Sequence, residues 1–235
     1  MSPSRIAADD ADLRSDVRRL GDLLGQTLVR QEGPELLALV EQVRKAVREG
    51  SGEEILGQLS VEDSVQLVRA FSTYFHLANV AEQVHRARVL AEARVTGGSW
   101  LARAVDRIDA ALKAQTPGHE LTKEEIAEWV GAMSVRPVFT AHPTEAARRS
   151  VLNKLGSIAD LLDDPRNPSQ QERLAETVDL LWQTDELRLG RPEPLDEALN
   201  ALYYLDDLFK LTIPEVLSDF AAQMKRLGIE IPVTA

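Results

Sequence analysis

The sequence has 235 residues, of which 44% are hydrophobic and 28% charged, enough to bury a core in one large or two small domains. Its net charge of −11 argues against general nucleic-acid binding, because phosphate contacts need a basic surface. There is no cysteine, so disulfides and thiolate metal sites are excluded, and no apolar run reaches membrane-spanning length. The start of the chain also lacks the apolar core of a signal peptide. We therefore expect a cytoplasmic protein with neither nucleic acid nor membrane as a partner.

Apolar residues recur at helical spacing through most of the first half of the chain. Glycine and proline interrupt this pattern near residues 33–34, 50–52, 97–99 and 116–118. Five helices are predicted between these breaks, over residues 13–28, 36–47, 60–95, 101–112 and 122–133. Ser60 with Asp63 predicts a helix start, and Thr122 with Glu125 forms a capping box.

One short segment departs from the helical pattern. Residues 134–140, SVRPVFT, are rich in β-branched and aromatic residues and predict a strand. Pro137 lacks a backbone donor, so either the strand tolerates its absence there or it begins at Val138.

Helical spacing resumes after this strand. Helices are predicted over residues 151–162, 174–181, 202–211 and 214–227. Ser169 with Glu172 predicts a further capping box, and Gly228 a helix C-terminus. A second extended segment is predicted from Ile229.

These elements predict a mainly α fold that leads into an α/β (TIM-type) barrel. A lone strand leaves backbone groups unpaired, so we expect its partner strands to lie beyond Ala235. Residues 1–133 are predicted to form an N-terminal all-helical region. Residues 134–235 are predicted to hold the first barrel strand, an active-site loop and the following helices, with the barrel truncated at the C-terminus.

His142 is the strongest candidate for chemistry. Pro143 disfavours the helical conformation at His142 and places it at the carboxyl end of the predicted strand. Thr144 can cap the next helix, whose free N–H groups form an anion site, and Arg148 and Arg149 add positive charge. This pattern suits phosphate or carboxylate chemistry. The same spacing is also consistent with a structural role, in which His142 is a buried, hydrogen-bonded histidine and Arg148 and Arg149 lie on a solvated face.

Residues 138–149, VFTAHPTEAARR, closely resemble the first signature of the phosphoenolpyruvate carboxylase family, T-A-H-P-T-[EQ]-x-x-R-R. Three further blocks resemble the family in the same order, at residues 13–25, 77–86 and 182–198. The resemblance therefore spans nearly the whole chain. Family members are several times longer, so it concerns their N-terminal quarter.

The resemblance implies an enzyme that joins bicarbonate to phosphoenolpyruvate, giving oxaloacetate and phosphate with Mg²⁺ or Mn²⁺. Its catalytic histidine corresponds to His142, which would accept a proton from carboxyphosphate or hold its phosphate while carbon dioxide leaves. The resemblance also implies an allosteric, homotetrameric enzyme that replenishes four-carbon acids of the tricarboxylic acid cycle. The metal ligands, the glycine-rich loop and most substrate-binding arginines are expected beyond this chain.

The roles of three residues near His142 stay open. Thr144, Arg148 and Arg149 are candidate substrate-binding or supporting residues. The two arginines either neutralise phosphate or tie the first turn of the helix to neighbouring carboxylates, and the second role is favoured.

Other polar residues are interpreted as structural. Asn79, Glu82 and His85 share one face of the long helix and are expected to serve packing and hydrogen bonding between helices. Trp182 is expected to be a buried anchor, and His76 has no motif support.

Two alternatives to the carboxylase remain. His142 could relay a phosphoryl group as a phosphohistidine carrier, although such histidines usually lie on exposed helix faces. The chain could also be a non-catalytic helical interaction module. No group of His, Asp and Glu residues has convincing metal-ligand spacing, so we expect the chain alone to be catalytically inactive.

Overall fold

The computed structural model describes residues 3–114, 122–134, 136, 148–163, 168–186 and 193–231. Ten α-helices occur in these ranges: α1 (Pro3–Gln31), α2 (Pro34–Glu49), α3 (Gly52–Leu56), α4 (Val61–Gly97), α5 (Trp100–Lys113), α6 (Lys123–Ala132), α7 (Arg149–Asp163), α8 (Pro168–Trp182), α9 (Pro194–Asp207) and α10 (Ile213–Arg226). The predicted mainly α class is confirmed for this part of the chain, where no strand is found. None of its helices is long and apolar enough to cross a membrane.

Both predicted extended segments fall partly on residues outside the described ranges. In the first, only Ser134 and Arg136 are described, and neither belongs to a helix or a strand. In the second, Ile229–Ile231 are described without regular structure. The α/β barrel therefore stays a prediction.

Local sequence determines several helix ends. Ser60 accepts a hydrogen bond from the backbone N–H of Asp63 at 3.0 Å, and Thr122 and Glu125 form the reciprocal capping box, as predicted. The predicted cap at Ser169 is wrong, because α8 already begins at Pro168, a residue that tolerates the first helical turn.

Glycines end two helices in the left-handed conformation. Gly50 has φ 80°, and the N–H of Ser51 donates back to the carbonyl of Ala46 at 2.9 Å. Gly228 has φ 69°, and the N–H of Ile229 donates to Met224 O at 3.2 Å. Each is a Schellman-type end, so the predicted C-terminus at Gly228 is confirmed.

The chain divides into two compact units. Unit 1 comprises residues 1–89 and 146–189, and unit 2 comprises residues 90–145 and 190–235. The predicted boundary between residues 133 and 134 divides the helical region from the expected barrel. It is a different kind of division from these compact units, and it stays a prediction.

Unit 1 contains a large leucine-rich core. Helices α1, α4, α7 and α8 supply most of it: Leu20, Leu24, Leu28, Leu36, Ala70, Leu77, Val80, Ala81, Val84, Val151, Ile158, Leu161, Leu162, Leu174, Val178, Leu181 and Trp182. Polar side chains tie the same helices together at the core edge. Arg88 donates to the carboxylate of Asp16 at 2.6 Å and to the carbonyl of Leu162 at 2.7 Å, which links α4 to α1 and to α7.

Unit 2 contains a much smaller core. Val105 of α5, Ile126 of α6 and Met224 of α10 meet Ile229, which directly follows Gly228. A π-helical turn, Leu208–Thr212, joins α9 to α10 immediately before Pro214. Because proline has no N–H, it cannot complete the α-helical ladder, which gives a physical reason for the irregularity there.

Candidate active site

The structure describes only part of the predicted site. His142 and Thr144 lie outside the described residues. Arg148 and Arg149 are described, at the start of α7, where Arg149 is exposed and Arg148 half-buried. The site is therefore built from what surrounds Arg148.

Arg148 contacts the short segment that follows α8. Its backbone N–H donates to the carbonyl of Glu186 at 3.1 Å, and its guanidinium Nη2 lies 3.6 Å from Asp185 Oδ2. The carbonyl of Arg148 accepts from the N–H of Val151 at 2.9 Å, which starts the helix. The first residue described after the signature is thus fixed to the end of α8 through its backbone and its side chain.

Glu186 is held in turn by α4. Its Oε1 lies 2.7 Å from Nε2 of His76. The Ser72 hydroxyl lies 3.1 Å from Oε1 and 2.9 Å from Oε2 of the same carboxylate. The side chains of His76 and Glu186 are 32% and 38% exposed, so this pair is partly screened by water. Ser72, His76 and Glu186 therefore form a partly exposed polar cluster.

These contacts change the acidity of Glu186. Burial raises its pKa, but the hydrogen bonds from His76 and Ser72, together with the positive charge of His76, outweigh burial and leave the pKa below its ordinary value of 4.5. Glu186 is therefore a carboxylate at neutral pH and accepts hydrogen bonds from both side chains of α4.

Trp182 anchors the same segment in the core. Its side chain is 2% exposed, and its indole N–H donates to Glu32 Oε1 at 2.9 Å. Arg69 of α4 donates to the backbone carbonyl of Trp182, and its guanidinium lies 4.3 Å from the ring centroid. The predicted buried anchor is confirmed, and a cation binds a free carbonyl at the C-terminus of α8.

Sequence reasoning missed the three residues of α4 that contact this segment. Arg69, Ser72 and His76 are spaced at i, i+3 and i+7, which places them along one side of the helix. Polar residues at that spacing between apolar ones were the available signal. His76 lies just outside the family-like block at residues 77–86, so no motif points to it.

For Asn79 and His85 the expected packing between helices stays a prediction, whereas Glu82 has a described partner. Asn79 and Glu82 are exposed, and Glu82 pairs with Arg86 on its own helix at 2.8 Å. His85 is half-buried. The expected hydrogen bond between helices is therefore wrong for Glu82, whose described partner lies one turn along α4.

The described part of the site holds no metal cluster and does not line the open groove of unit 1. Within the described ranges, no group of three or more His, Asp or Glu side chains is arranged to hold a metal ion. An open groove of about 900 Å³ runs between α1, α2 and α4, with Leu24 and Tyr74 among its lining residues. It contains neither Arg148 nor Arg149.

The chain is similar to known proteins over nearly its whole length, including the residues of the candidate site. The model of the family described as phosphoenolpyruvate carboxylase matches residues 13–233. The phosphoenolpyruvate carboxylase of Azorhizobium caulinodans is 37% identical over 95% of this chain and 26% of its own length. That of a Thermus species is 36% identical over 92% of this chain and 25% of its own, and that of Alcanivorax borkumensis 32% over 95% and 27%.

A largely helical chain that carries the histidine signature at residues 138–149 is thus matched over residues 13–233 by one enzyme family. The chain belongs to the phosphoenolpyruvate carboxylase family. It spans about a quarter of the length of the curated relatives named above.

Proposed function

We propose that this chain is the N-terminal part of an enzyme that carboxylates phosphoenolpyruvate with bicarbonate, and that His142 is a catalytic residue of that reaction. The observation that carries the proposal is the family match over residues 13–233, which includes the signature at 138–149. The relatives bear the name of this activity.

The proposed reaction has two halves. An oxygen of bicarbonate attacks phosphorus, the bond between phosphorus and the enol oxygen breaks, and carboxyphosphate and the enolate of pyruvate form. Carboxyphosphate then loses its carboxyl proton and splits into carbon dioxide and phosphate, and the enolate carbon attacks carbon dioxide to give oxaloacetate. His142 accepts the proton or holds the phosphate in the second half, because an imidazole exchanges protons near neutral pH.

The contacts of Arg148 support one of the two roles left open for it. Its guanidinium lies 3.6 Å from Asp185 and its backbone is bonded to Glu186, so it has a carboxylate neighbour within the chain. We propose that Arg148 holds the start of α7 in place. Thr144 and Arg149 remain candidate substrate-binding residues.

The metal and the assembly are also proposals. The use of Mg²⁺ or Mn²⁺, with ligands expected beyond this chain, follows from the family alone. Cytoplasmic location, tetramer formation, allosteric control and a role in replenishing four-carbon acids follow from the family alone.

The test is the His142→Asn variant of the complete protein. We expect oxaloacetate formation to fall at least about 100-fold, because asparagine cannot accept a proton, while release of phosphate from phosphoenolpyruvate persists. Oxaloacetate and phosphate are measured in parallel, with and without bicarbonate. His85→Asn, at a half-buried histidine of α4 outside the signature, serves as the control and keeps both rates.

Two results would contradict the proposal. Unchanged oxaloacetate formation in His142→Asn removes that residue from the mechanism. An acid-labile phosphohistidine formed from labelled phosphoenolpyruvate would instead favour the phosphoryl carrier.

A further inference from the structure

Three polar side chains of α4 converge on five residues of the chain. Arg69 donates to the carbonyl of Trp182, while Ser72 and His76 bind the carboxylate of Glu186 at 2.9 Å and 2.7 Å. Both ends of the segment 182–186 are therefore fixed to the same side of one long helix.

The segment passes this restraint on to the start of α7. The backbone carbonyl of Glu186 accepts from the N–H of Arg148 at 3.1 Å, and Asp185 lies 3.6 Å from the Arg148 guanidinium. In sequence, Arg148 follows His142 by six residues. A continuous set of bonds thus runs from His76 through Glu186 to the end of the signature.

These contacts are too weak to contribute much to the stability of the fold, so we expect their main effect to be on the position of residues 182–186. The His76 and Glu186 side chains are each about one-third exposed, and such ion pairs contribute only about 0.2–1 kcal/mol. Nearby, the core of unit 1 buries Trp182 and many leucines, whose removal costs several times more. Loss of His76 therefore leaves the helices folded but removes one of the two side chains of α4 that hold the Glu186 carboxylate.

We infer that Ser72 and His76 are positioning residues for the step in which His142 acts, through the Glu186 carboxylate and the backbone of Arg148. This inference rests on the proposed carboxylase function. Neither residue touches a reacting atom in this scheme. Their effect is to fix the C-terminal end of the signature, where small displacements of a catalytic group lower rates steeply.

The consequence is a specific loss of coupling between the two halves of the reaction. If His142 is misplaced, carboxyphosphate is hydrolysed by water to bicarbonate and phosphate, and the enolate takes a proton to become pyruvate. The ratio of pyruvate to oxaloacetate then rises. Partial unfolding lowers both products equally and leaves this ratio unchanged.

The experiment compares His76→Asn, His76→Gln and His85→Asn in the complete protein. Asparagine is too short to replace the Nε2 contact of His76, whereas the glutamine amide reaches that position and can donate to Glu186. His85 is the matched control, a half-buried histidine of the same helix that makes no hydrogen bond or ion pair with another described residue. Oxaloacetate is followed with malate dehydrogenase and pyruvate with lactate dehydrogenase.

We expect kcat for oxaloacetate to fall about 10- to 100-fold in His76→Asn, with the KM for phosphoenolpyruvate within about twofold of wild type. The pyruvate-to-oxaloacetate ratio should rise in His76→Asn, return most of the way in His76→Gln and stay at the wild-type value in His85→Asn. Ser72→Ala, a smaller change, should shift the ratio in the same direction and covers the case in which His76→Asn does not fold.

The outcomes separate this inference from the proposed function. If the wild-type protein makes no oxaloacetate from bicarbonate, the proposed function is wrong and the inference fails with it. If the wild type is active and the product ratio is unchanged in both His76→Asn and Ser72→Ala, the inference alone is overturned.

Discussion

The two units of this chain differ in how they bury apolar surface. In unit 1, seventeen of the described hydrophobic residues form one buried cluster. In unit 2 the corresponding cluster has four members, and α9 and the π-helical turn leave large apolar side chains exposed, among them Leu195, Leu202 and Phe209. Because burial of apolar area is the dominant stabilising term in folding, unit 1 is expected to be the more stable of the two.

The comparison also locates the described part of the candidate site. The described contacts around Arg148 and Glu186 all lie in unit 1, where α4, α7 and the end of α8 are tied to the larger core. The larger core of unit 1 gives rigid support to these described residues, which follow the signature or contact its last residues. The predictions below test this difference, beginning with the largest expected effect.

Trp182→Ala should have the largest effect on unit 1. Its side chain is 2% exposed and packs against Arg69, so its removal leaves a cavity and should cost about 3–5 kcal/mol. The control is Trp129→Ala in unit 2, where the side chain is 59% exposed and the cost should stay within about 0.5 kcal/mol. Urea unfolding followed by circular dichroism measures both. Equal costs would show that Trp182 does not anchor the core.

Met224→Ala tests the small core of unit 2. Met224 is fully buried at the centre of its cluster, and truncation should cost about 2–4 kcal/mol, seen as faster amide exchange in α5, α6 and α10. Met133→Ala removes the same atoms from a side chain that is 68% exposed and should leave exchange unchanged. If exchange in unit 2 is already as fast as in a disordered chain before mutation, its four-residue core does not hold it folded.

The smallest effect is a pH dependence in unit 1. The pKa of Glu186 is lowered in the folded protein, so its contribution is present above pH 4.5 and is lost as the pH falls through the folded pKa. The difference in unfolding free energy between wild type and Glu186→Gln should be of the order of 0.5 kcal/mol at pH 7 and shrink as the pH falls through the folded pKa, which lies below 4.5. A constant difference between pH 7 and pH 3 would contradict the lowered pKa.

Short-range patterns in the sequence predicted nine of the ten described α-helices, and only the short α3 (Gly52–Leu56) was missed. Apolar spacing located them, and the caps at Ser60 and Thr122 and the glycine at 228 marked their ends, because capping and left-handed φ depend on residues within one turn. Where the local signal was ambiguous the prediction failed, as at Ser169, since Pro168 starts the helix one residue earlier.

The candidate site was predictable only in part, for a different reason. The motif at residues 138–149 pointed to His142 because its residues are neighbours in sequence. No local pattern, however, links His76 to Glu186, which are 110 residues apart. Their contact depends on how α4 packs against the end of α8.

The sequence by itself thus determined the helical class, most helix ends and, through the signature, the family and the candidate catalytic histidine. Only the tertiary structure decided which polar residues surround Arg148, and that Glu82 bonds along its own helix while His76 reaches another segment. The physical reason is range: helix propensity and capping act over a few residues, whereas a hydrogen bond between distant residues exists only once the apolar faces have packed.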